Sequence, residues 1–218
     1  MKRLKIICEG QTEREFCNDV LYPHFLQRNI SIITPLIEKT NGGIVKWSTL
    51  KTEIENHLKQ DRGVYVTTLI DLYGIKDSHN FPGWAASNEV VDKPDRMTYL
   101  EEQMKSEISP SLRYRFIPYI QLHEFEGILF NNIEVFDNNF ELEEILNRNE
   151  LITTINTHPN PELINDGATT APSKRLKRLI KGYNKVVYGA MLAKEIGLNN
   201  IRAKCSRFDN WINQLEGI

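Results

Sequence analysis

The sequence predicts an α/β fold with an open, mostly parallel sheet flanked by helices. One observation is the alternation of β-forming runs at 4–8, 30–37 and 64–70 with helical patterns at 13–27 and 47–60. Strands that alternate with helices in this way are typical of doubly wound sheets. The other observation is that the third run contains only β-forming and apolar residues, which suits a central strand buried on both faces.

The predicted helices carry apolar residues three and four positions apart, as a core-facing helix does. In the first helix these residues are Phe16, Val20, Leu21 and Phe25. Asn41, Gly42 and Gly43 are predicted to separate the second strand from the second helix.

Beyond the third strand the pattern is less regular. Residues 73–95 are predicted to form a long loop, which in a compact domain is usually functional or mobile. A helix over 96–108 and a strand over 114–121 come next, and the acidic stretch 134–150 is interpreted as a solvated helical face. We expect an α/β core over 1–131, with the remaining residues packed on it as one compact unit.

Composition gives few functional clues. The chain has 218 residues, a formal net charge of −2 and three cysteines without metal-ligand spacing, which predicts free thiols in a reducing compartment. The apolar run after the basic N-terminus is too short for a signal peptide, and no run is long enough for a membrane span. We therefore expect a cytoplasmic protein without membrane contact.

The segment 132–218 is predicted to be mainly helical, with a basic end. Two or three helices are expected over 173–207, with breaks at Gly182, Gly189 and Gly197. Between 173 and 207 a single acidic residue, Glu195, accompanies ten cations: Lys174, Arg175, Lys177, Arg178, Lys181, Lys185, Lys194, Arg202, Lys204 and Arg207. Such a local excess of charge favours contact with a nucleic-acid backbone, although a solvated basic face is the alternative.

The first strand leads into a turn at Glu9 and Gly10. Thr12 and Glu15 have the spacing of a capping box, so a helix is predicted to begin at once. Ligands of open α/β sheets bind at the carboxyl ends of strands, which places Glu9 where chemistry is expected. The alternative is that Glu9 and Glu13 are ordinary first-turn carboxylates, favoured by the helix dipole.

Carboxylates follow three predicted strands: Glu9, Asp71 and the pair Glu124 and Glu126. Because parallel strands end at the same edge of a sheet, these side chains are expected to converge. Clustered carboxylate oxygens suit Mg²⁺ or Mn²⁺, which activate water in phosphodiester hydrolysis. The alternatives are a turn-forming role for Asp71 and, for Glu124, a solvated face or a salt bridge to Arg113 or Arg115.

Two further features are candidates for phosphate contact. His123 either positions a phosphate or acts as an acid, unless it is a hydrogen-bonded structural residue. A turn in 164–169 precedes a helix with Pro172 in its first turn and Thr170 or Ser173 as its cap. Helix N-termini bind phosphate, and Lys174 and Arg175 add positive charge at the same place.

The chain resembles the Toprim fold of topoisomerases, primases and overcoming-lysogenization-defect nucleases, and over nearly its full length it resembles the Toprim-like domain-of-unknown-function family 4276. The matching blocks are Cys8-Glu9-Gly10-Gln11-Thr12-Glu13, Leu69-Ile70-Asp71-Leu72-Tyr73-Gly74, His123-Glu124-Phe125-Glu126, Ala171-Pro172-Ser173-Lys174-Arg175-Leu176, and the spacing of Arg202, Cys205, Phe208 and Trp211. The resemblance implies a Rossmann-like sheet with an Mg²⁺ or Mn²⁺ site.

In Toprim proteins the glutamate after strand one and an Asp-x-Asp form that site, which implies Glu9 and Asp71 as metal ligands. Here Tyr73 stands where the second aspartate belongs, so Glu124 or Glu126 is expected to supply the missing ligand. By analogy with those nucleases, Lys174 is expected to stabilise charge during catalysis. The residues expected around the metal or the substrate are Gly10, Glu13, His123, Arg175 and Lys185.

The resemblance implies a metal-dependent nuclease acting on DNA or RNA. Family members are often encoded beside an ATPase in a defence-like context, so an anti-phage effector with an ATPase partner is expected. A homodimer is compatible with the resemblance. The alternatives are a non-catalytic subunit that binds the ATPase or nucleic acid, and a phosphotransferase or phosphohydrolase acting on small substrates.

Overall fold

Among the described residues of the computed structural model, five parallel strands form an open sheet: β1 (Lys2–Cys8), β2 (Ile30–Ile33), β3 (Val64–Asp71), β4 (Phe116–Ile117) and β5 (Ile120–Gln121). The order is β2-β1-β3-β4, and β5 pairs with the later part of β3. This confirms the predicted fold class. In the register of β1 and β3, Cys8 lies opposite Leu69, so both strands end at the same edge.

The structure describes residues 1–38, 43–165, 167 and 169–218. Asn41 and Gly42 of the predicted break, and Asp166 and Ala168 of the predicted turn before the last basic segment, lie outside the described residues.

The helix predicted over 13–27 consists of three segments. Helix α1 (Gln11–Phe16) continues through a π-helical turn (Cys17–Leu21) into α2 (Tyr22–Leu26). Pro23 has no N–H to donate to a carbonyl one turn earlier, and the wider turn ends just before it. The apolar face predicted for this helix is buried in the core.

The prediction of one continuous strand over 114–121 is wrong. A 3₁₀ turn at Arg113–Arg115 comes first, and Pro118 and Tyr119 separate the two short strands β4 and β5. Proline cannot donate to a sheet ladder. The Thr68 hydroxyl takes over part of the pairing, since it donates to the Tyr119 carbonyl at 2.9 Å and accepts the Tyr119 N–H at 3.0 Å.

The predicted loop at 73–95 contains regular turns. Two 3₁₀ helices (Leu72–Gly74 and Asp77–His79) and α4 (Trp84–Ser87) lie there, and α5 (Lys93–Glu107) begins within it. Asp92 caps α5 by accepting the Asp95 N–H at 2.9 Å. Helix α3 (Trp47–Gln60) lies where the sequence places it.

The second half of the chain is mainly helical. A 3₁₀ helix (Phe125–Leu129) comes after β5, and a second one spans Pro161–Leu163. The helices are α6 (Glu134–Asn139), α7 (Arg148–Thr157), α8 (Pro172–Leu179), α9 (Lys185–Ile196), α10 (Leu198–Lys204) and α11 (Ser206–Glu216). The acidic stretch thus lies in two helices and a connection, not in one helical face.

Three helices, α8, α9 and α10, lie over the segment 173–207, which agrees with the predicted two or three, and α11 begins at its end. Gly182 and Gly197 have positive φ angles and lie at breaks, whereas Gly189 is inside α9. One hydrophobic cluster combines residues of both parts of the chain. In that cluster Trp211 of α11 stacks on Tyr119, with ring centroids 4.5 Å apart, and donates its Nε1–H to Thr67 of β3.

The three cysteines are free, as predicted, and all three are buried. None of the helices in the described part of the chain is long and apolar enough to cross a membrane.

Candidate functional site

Glu9 lies directly after β1 and is tied to the end of β3. Its Oε2 accepts the backbone N–H of Asp71 at 2.9 Å, and its own N–H donates to the Leu69 carbonyl at 3.0 Å. A Cβ atom on Gly74 would lie 2.8 Å from Glu9 Oε1, so the absence of a side chain there makes room for this carboxylate. The predicted convergence of Glu9 with Asp71 is therefore present.

The turn after Glu9 differs from the predicted capping box. Gly10 is the N-cap of α1 and no side chain caps the helix. Thr12 lies inside the first turn and is buried, and Glu15 instead pairs with Arg14 at 3.2 Å. A Cβ atom on Gly10 would lie 2.9 Å from Glu13 Oε2, so a side chain there would require the Glu13 carboxylate to shift.

Asp71 and Glu126 complete a cluster with Glu9 and Glu13. The Oδ1 of Asp71 accepts the Phe125 N–H at 2.9 Å, which fixes the start of the 3₁₀ helix that carries Glu126. Glu126 has no exposed surface, and its Oε2 accepts no hydrogen bond from any described residue. We call Glu9, Glu13, Asp71 and Glu126 the acidic cluster.

Lys185 inserts its ammonium group into the acidic cluster. Its Nζ lies 3.1 Å from Glu126 Oε1, 3.6 Å from Glu13 Oε1 and 3.8 Å from Asp71 Oδ2. The side chain is 36% exposed, so solvent reaches the cluster beside it. Four carboxylates and one ammonium leave a formal charge of −3 when all are ionised.

Helix packing brings Lys185 to this place. Lys185 is the first residue of α9, whose N-cap Asn184 accepts the N–H groups of Val186 and Val187. Four residues later, a Cβ atom on Gly189 would lie 2.6 Å from Thr12 Cγ2. Only a glycine therefore permits α9 to lie this close to α1. A lysine at a helix N-terminus opposes the helix dipole, and the carboxylates compensate for that here.

Burial disfavours the charged carboxylates. It raises the pKa of Glu9 to about 7, although the hydrogen bond from Asp71 opposes this. It also raises the pKa of Glu126 to about 7 against the attraction of Lys185, and holds the pKa of Asp71 well above its usual range. Burial alone would lower the pKa of Lys185, but the carboxylates raise it above its ordinary value. A cation bound here would favour the ionised carboxylates.

Glu124 is engaged elsewhere. Its two oxygens accept the backbone N–H of Ser173 at 2.9 Å and the Ser173 hydroxyl at 3.0 Å. Glu124 thus caps α8. It forms no salt bridge with Arg113 or Arg115, whose guanidinium groups donate to backbone carbonyls instead. The structure brings Glu126, not Glu124, to Asp71.

The predicted phosphate site at the start of α8 is occupied by this carboxylate. Pro172 is the first helical residue as predicted, but the N-cap is Ala171 and neither Thr170 nor Ser173 caps the helix with its side chain. Lys174 is exposed, and no contact within the described residues joins it to the acidic cluster. Arg175 donates from Nε to the Thr170 carbonyl at 2.8 Å.

His123 links three segments. Its Nδ1 lies 3.2 Å from the Asn165 side-chain amide, and its carbonyl accepts the Tyr73 N–H at 3.0 Å. Its φ angle of 66° is unusual for a residue with a side chain. These contacts favour the structural interpretation, in which His123 orients the chain that leads to Glu126.

Most of the predicted basic surface is used internally. Arg178 pairs with Glu150, Arg202 with Asp209 and Glu216, and Arg207 with Glu101. The exposed cations that form no ion pair with a described residue include Lys174, Lys177 and Lys181. Nucleic-acid binding by this region stays a prediction that is now centred on α8.

A family described as a domain of unknown function (DUF4276) matches residues 8–216. The chain belongs to this family. No curated protein and no solved structure matches the chain. The matched range contains every residue of the acidic cluster and Lys185, so the site lies within the family domain.

Proposed function

We propose that the acidic cluster binds Mg²⁺ or Mn²⁺ and that the protein hydrolyses phosphodiester bonds of DNA or RNA. The observation that supports this most strongly is Glu126, a fully buried carboxylate with one oxygen that no described residue satisfies. Leaving a buried polar atom unpaired is costly, and a cation at this place would remove the cost.

The residues fit such an ion. Mg²⁺ usually takes one or two carboxylates, and waters complete its octahedral shell. The acidic cluster offers four, spread around Lys185 so widely that no three of them bring ligand atoms within 4.8 Å of one another. Two direct ligands are therefore expected, drawn from Glu9, Asp71 and Glu126, with Glu13 acting through water. Bound metal would supply an activated water and neutralise phosphate charge.

Lys185 takes the role that the sequence assigned to Lys174. Its side chain is partly exposed and its ammonium lies against the carboxylates, so a phosphate group that reached the metal would also meet this charge. A preorganised cation beside a developing negative charge stabilises the transition state. The exposed Lys174 and Lys177 of α8 are proposed to contact the nucleic-acid backbone without reading its sequence.

The Toprim link and the ATPase partner remain part of the proposal. In support, Glu9 and Asp71 follow adjacent parallel strands, and Glu126 lies where it can replace the missing second aspartate. Tyr73, at that aspartate position, is 44% exposed. A defence role with an ATPase partner rests on the family resemblance alone, and the proposed cytoplasmic location rests on the sequence composition.

The second candidate function is a non-catalytic subunit that binds the ATPase or nucleic acid. One observation favours it: Lys185 already contacts Glu13, Asp71 and Glu126 and compensates part of their charge. If the Lys185 ammonium keeps these contacts in the presence of divalent ions, the acidic cluster is a structural ion-pair network. Binding of a partner would then be independent of divalent ions.

Cleavage of single- and double-stranded DNA and RNA in Mn²⁺ or Mg²⁺ tests the proposal. The cleavage rate should be at least about 100-fold lower in Glu9→Gln and in Glu126→Gln, which is equivalent to a loss of roughly 3 kcal/mol of transition-state stabilisation. Glu15→Gln is the matched control, since Glu15 lies on the same helix as Glu13 but is partly exposed and pairs with Arg14. This variant should cleave normally.

Normal cleavage by Glu126→Gln, or cleavage that persists in EDTA, would contradict the proposal. Hydrolysis of a small phosphate ester without cleavage of any nucleic acid would show a phosphohydrolase instead.

A further inference from the structure

A second group of metal-binding side chains lies outside the acidic cluster. Glu53 and His57 are one turn apart on α3, and Glu38 lies beyond β2. Their ligand atoms all lie within 4.8 Å of one another. We infer that Glu38, Glu53 and His57 bind a divalent transition-metal ion of the Zn²⁺ type.

Two buried atoms in this group have no hydrogen bond. Glu53 is 6% exposed; its Oε2 accepts the Glu38 N–H at 3.4 Å, whereas its Oε1 has no hydrogen-bond partner. The Nε2 of His57 also has none and lies 3.9 Å from Glu53 Oε1. Buried polar atoms are nearly always satisfied, so two that face each other point to a ligand between them.

Access and ligand type agree with this inference. Glu38 is exposed and lines, with Glu53, a cavity of about 330 Å³ through which an ion and a water ligand can enter. Zn²⁺ is bound by nitrogen and oxygen ligands at about 2.0–2.2 Å, so the ligand atoms of the three side chains need to move closer together by only about 1 Å. An imidazole with two carboxylates suits Zn²⁺ better than Mg²⁺, which separates this group from the acidic cluster.

Lys5 competes with the metal. Its Nζ lies 3.0 Å from His57 Nδ1, a contact in which Nδ1 accepts and Nε2 carries the imidazole proton. Ligation through Nε2 moves that proton to Nδ1, so the Lys5 ammonium loses its acceptor and has to turn away. Lys5 is only partly buried and its side chain is long, which permits this movement.

Titration calorimetry with Zn²⁺ tests the inference. The full chain should carry Glu9→Gln and Glu126→Gln, so that the acidic cluster does not take up the ion. In this background we expect one equivalent of Zn²⁺ to bind. Glu38→Gln and His57→Gln should each weaken that binding at least tenfold, and Lys5→Met should tighten it.

His158→Gln is the control, since His158 is a histidine that contacts Thr154 and Thr157, and the affinity of this variant should be unchanged. Because Glu38 is exposed, its substitution leaves the fold intact and keeps the test valid even if His57→Gln unfolds. Equal affinity in Glu38→Gln and His158→Gln, weaker binding in Lys5→Met, or no binding of one equivalent would overturn the inference.

Discussion

Replacing Lys185 by methionine removes the only ammonium that contacts the acidic cluster among the described residues. At 3.1, 3.6 and 3.8 Å, each attraction is worth roughly 4–5 kcal/mol at an effective dielectric constant of 20. Desolvation of the ions and the partial exposure of Lys185 offset most of that sum. We expect Lys185→Met to lower the free energy of unfolding by about 2–3 kcal/mol at pH 8.

This loss should depend on pH. Burial raises the pKa of Glu9 and Glu126 from 4.5 to about 7, and removal of Lys185 raises both pKa values further. At a pH between the unfolded pKa of 4.5 and the raised folded pKa, the folded protein binds protons that the unfolded chain does not. The free energy of unfolding therefore increases as the pH falls through this range. At pH 5.5 Glu9 and Glu126 are largely protonated, so the loss should be smaller than at pH 8.

Urea unfolding followed by tryptophan fluorescence at pH 8 and pH 5.5 measures both losses. Lys181→Met is the matched control, since Lys181 is exposed and forms no ion pair within the described chain. Mn²⁺ at 100 times its dissociation constant should restore about 2.7 kcal/mol to the variant at pH 8. A loss of the same size at both pH values, or no larger than that of Lys181→Met, would refute the electrostatic account.

Three further predictions concern the parts that hold the cluster together. Gly189→Ala should lower the free energy of unfolding in urea by about 1–3 kcal/mol, because the added Cβ would overlap Thr12. A second substitution, Thr12→Ser, should restore much of this stability, and no rescue would contradict the close helix contact. Glu124→Ala should lower the free energy of unfolding by about 1–2 kcal/mol, because the cap on Ser173 is lost, yet leave cleavage by the folded protein nearly unchanged. A loss of cleavage as large as that of Glu126→Gln would indicate that Glu124 is a metal ligand after all. Mn²⁺ affinity measured by calorimetry should rise from pH 6 to pH 8, because burial raises the pKa of Glu126 to about 7 and the ion binds the deprotonated form; a flat profile would exclude this linkage.

The sheet and half of the site could be predicted from the sequence. The strands before Glu9 and Asp71 are continuous β-forming runs, and parallel neighbours must end at one edge, so the convergence of these carboxylates is a consequence of strand order. The choice between Glu124 and Glu126 could not be made in this way. It depends on the 3₁₀ helix that begins at Phe125, with three residues between it and the end of the two-residue strand β5. A predicted long strand gives no information on that geometry.

The sequence predicts Lys185 near the metal or the substrate, but its direct contacts with the acidic cluster could not be predicted. Lys174 and Lys185 both lie near the start of a helix in the basic segment 173–207, and local sequence does not distinguish them. The difference arises from packing: Glu124 occupies the N-terminus of α8, whereas Gly189 lets α9 approach α1. Such contacts between distant segments are not visible in the spacing of residues along the chain.

Calorimetric titration of Mn²⁺ at pH 8 into the wild type, Glu126→Gln and Glu124→Gln tests the central claim most directly. The two substitutions remove the same charge from carboxylates only two residues apart. We predict that the wild type and Glu124→Gln bind Mn²⁺ alike, while Glu126→Gln binds it at least tenfold more weakly. Equal binding by all three proteins, or none by the wild type, would contradict a metal site in the acidic cluster.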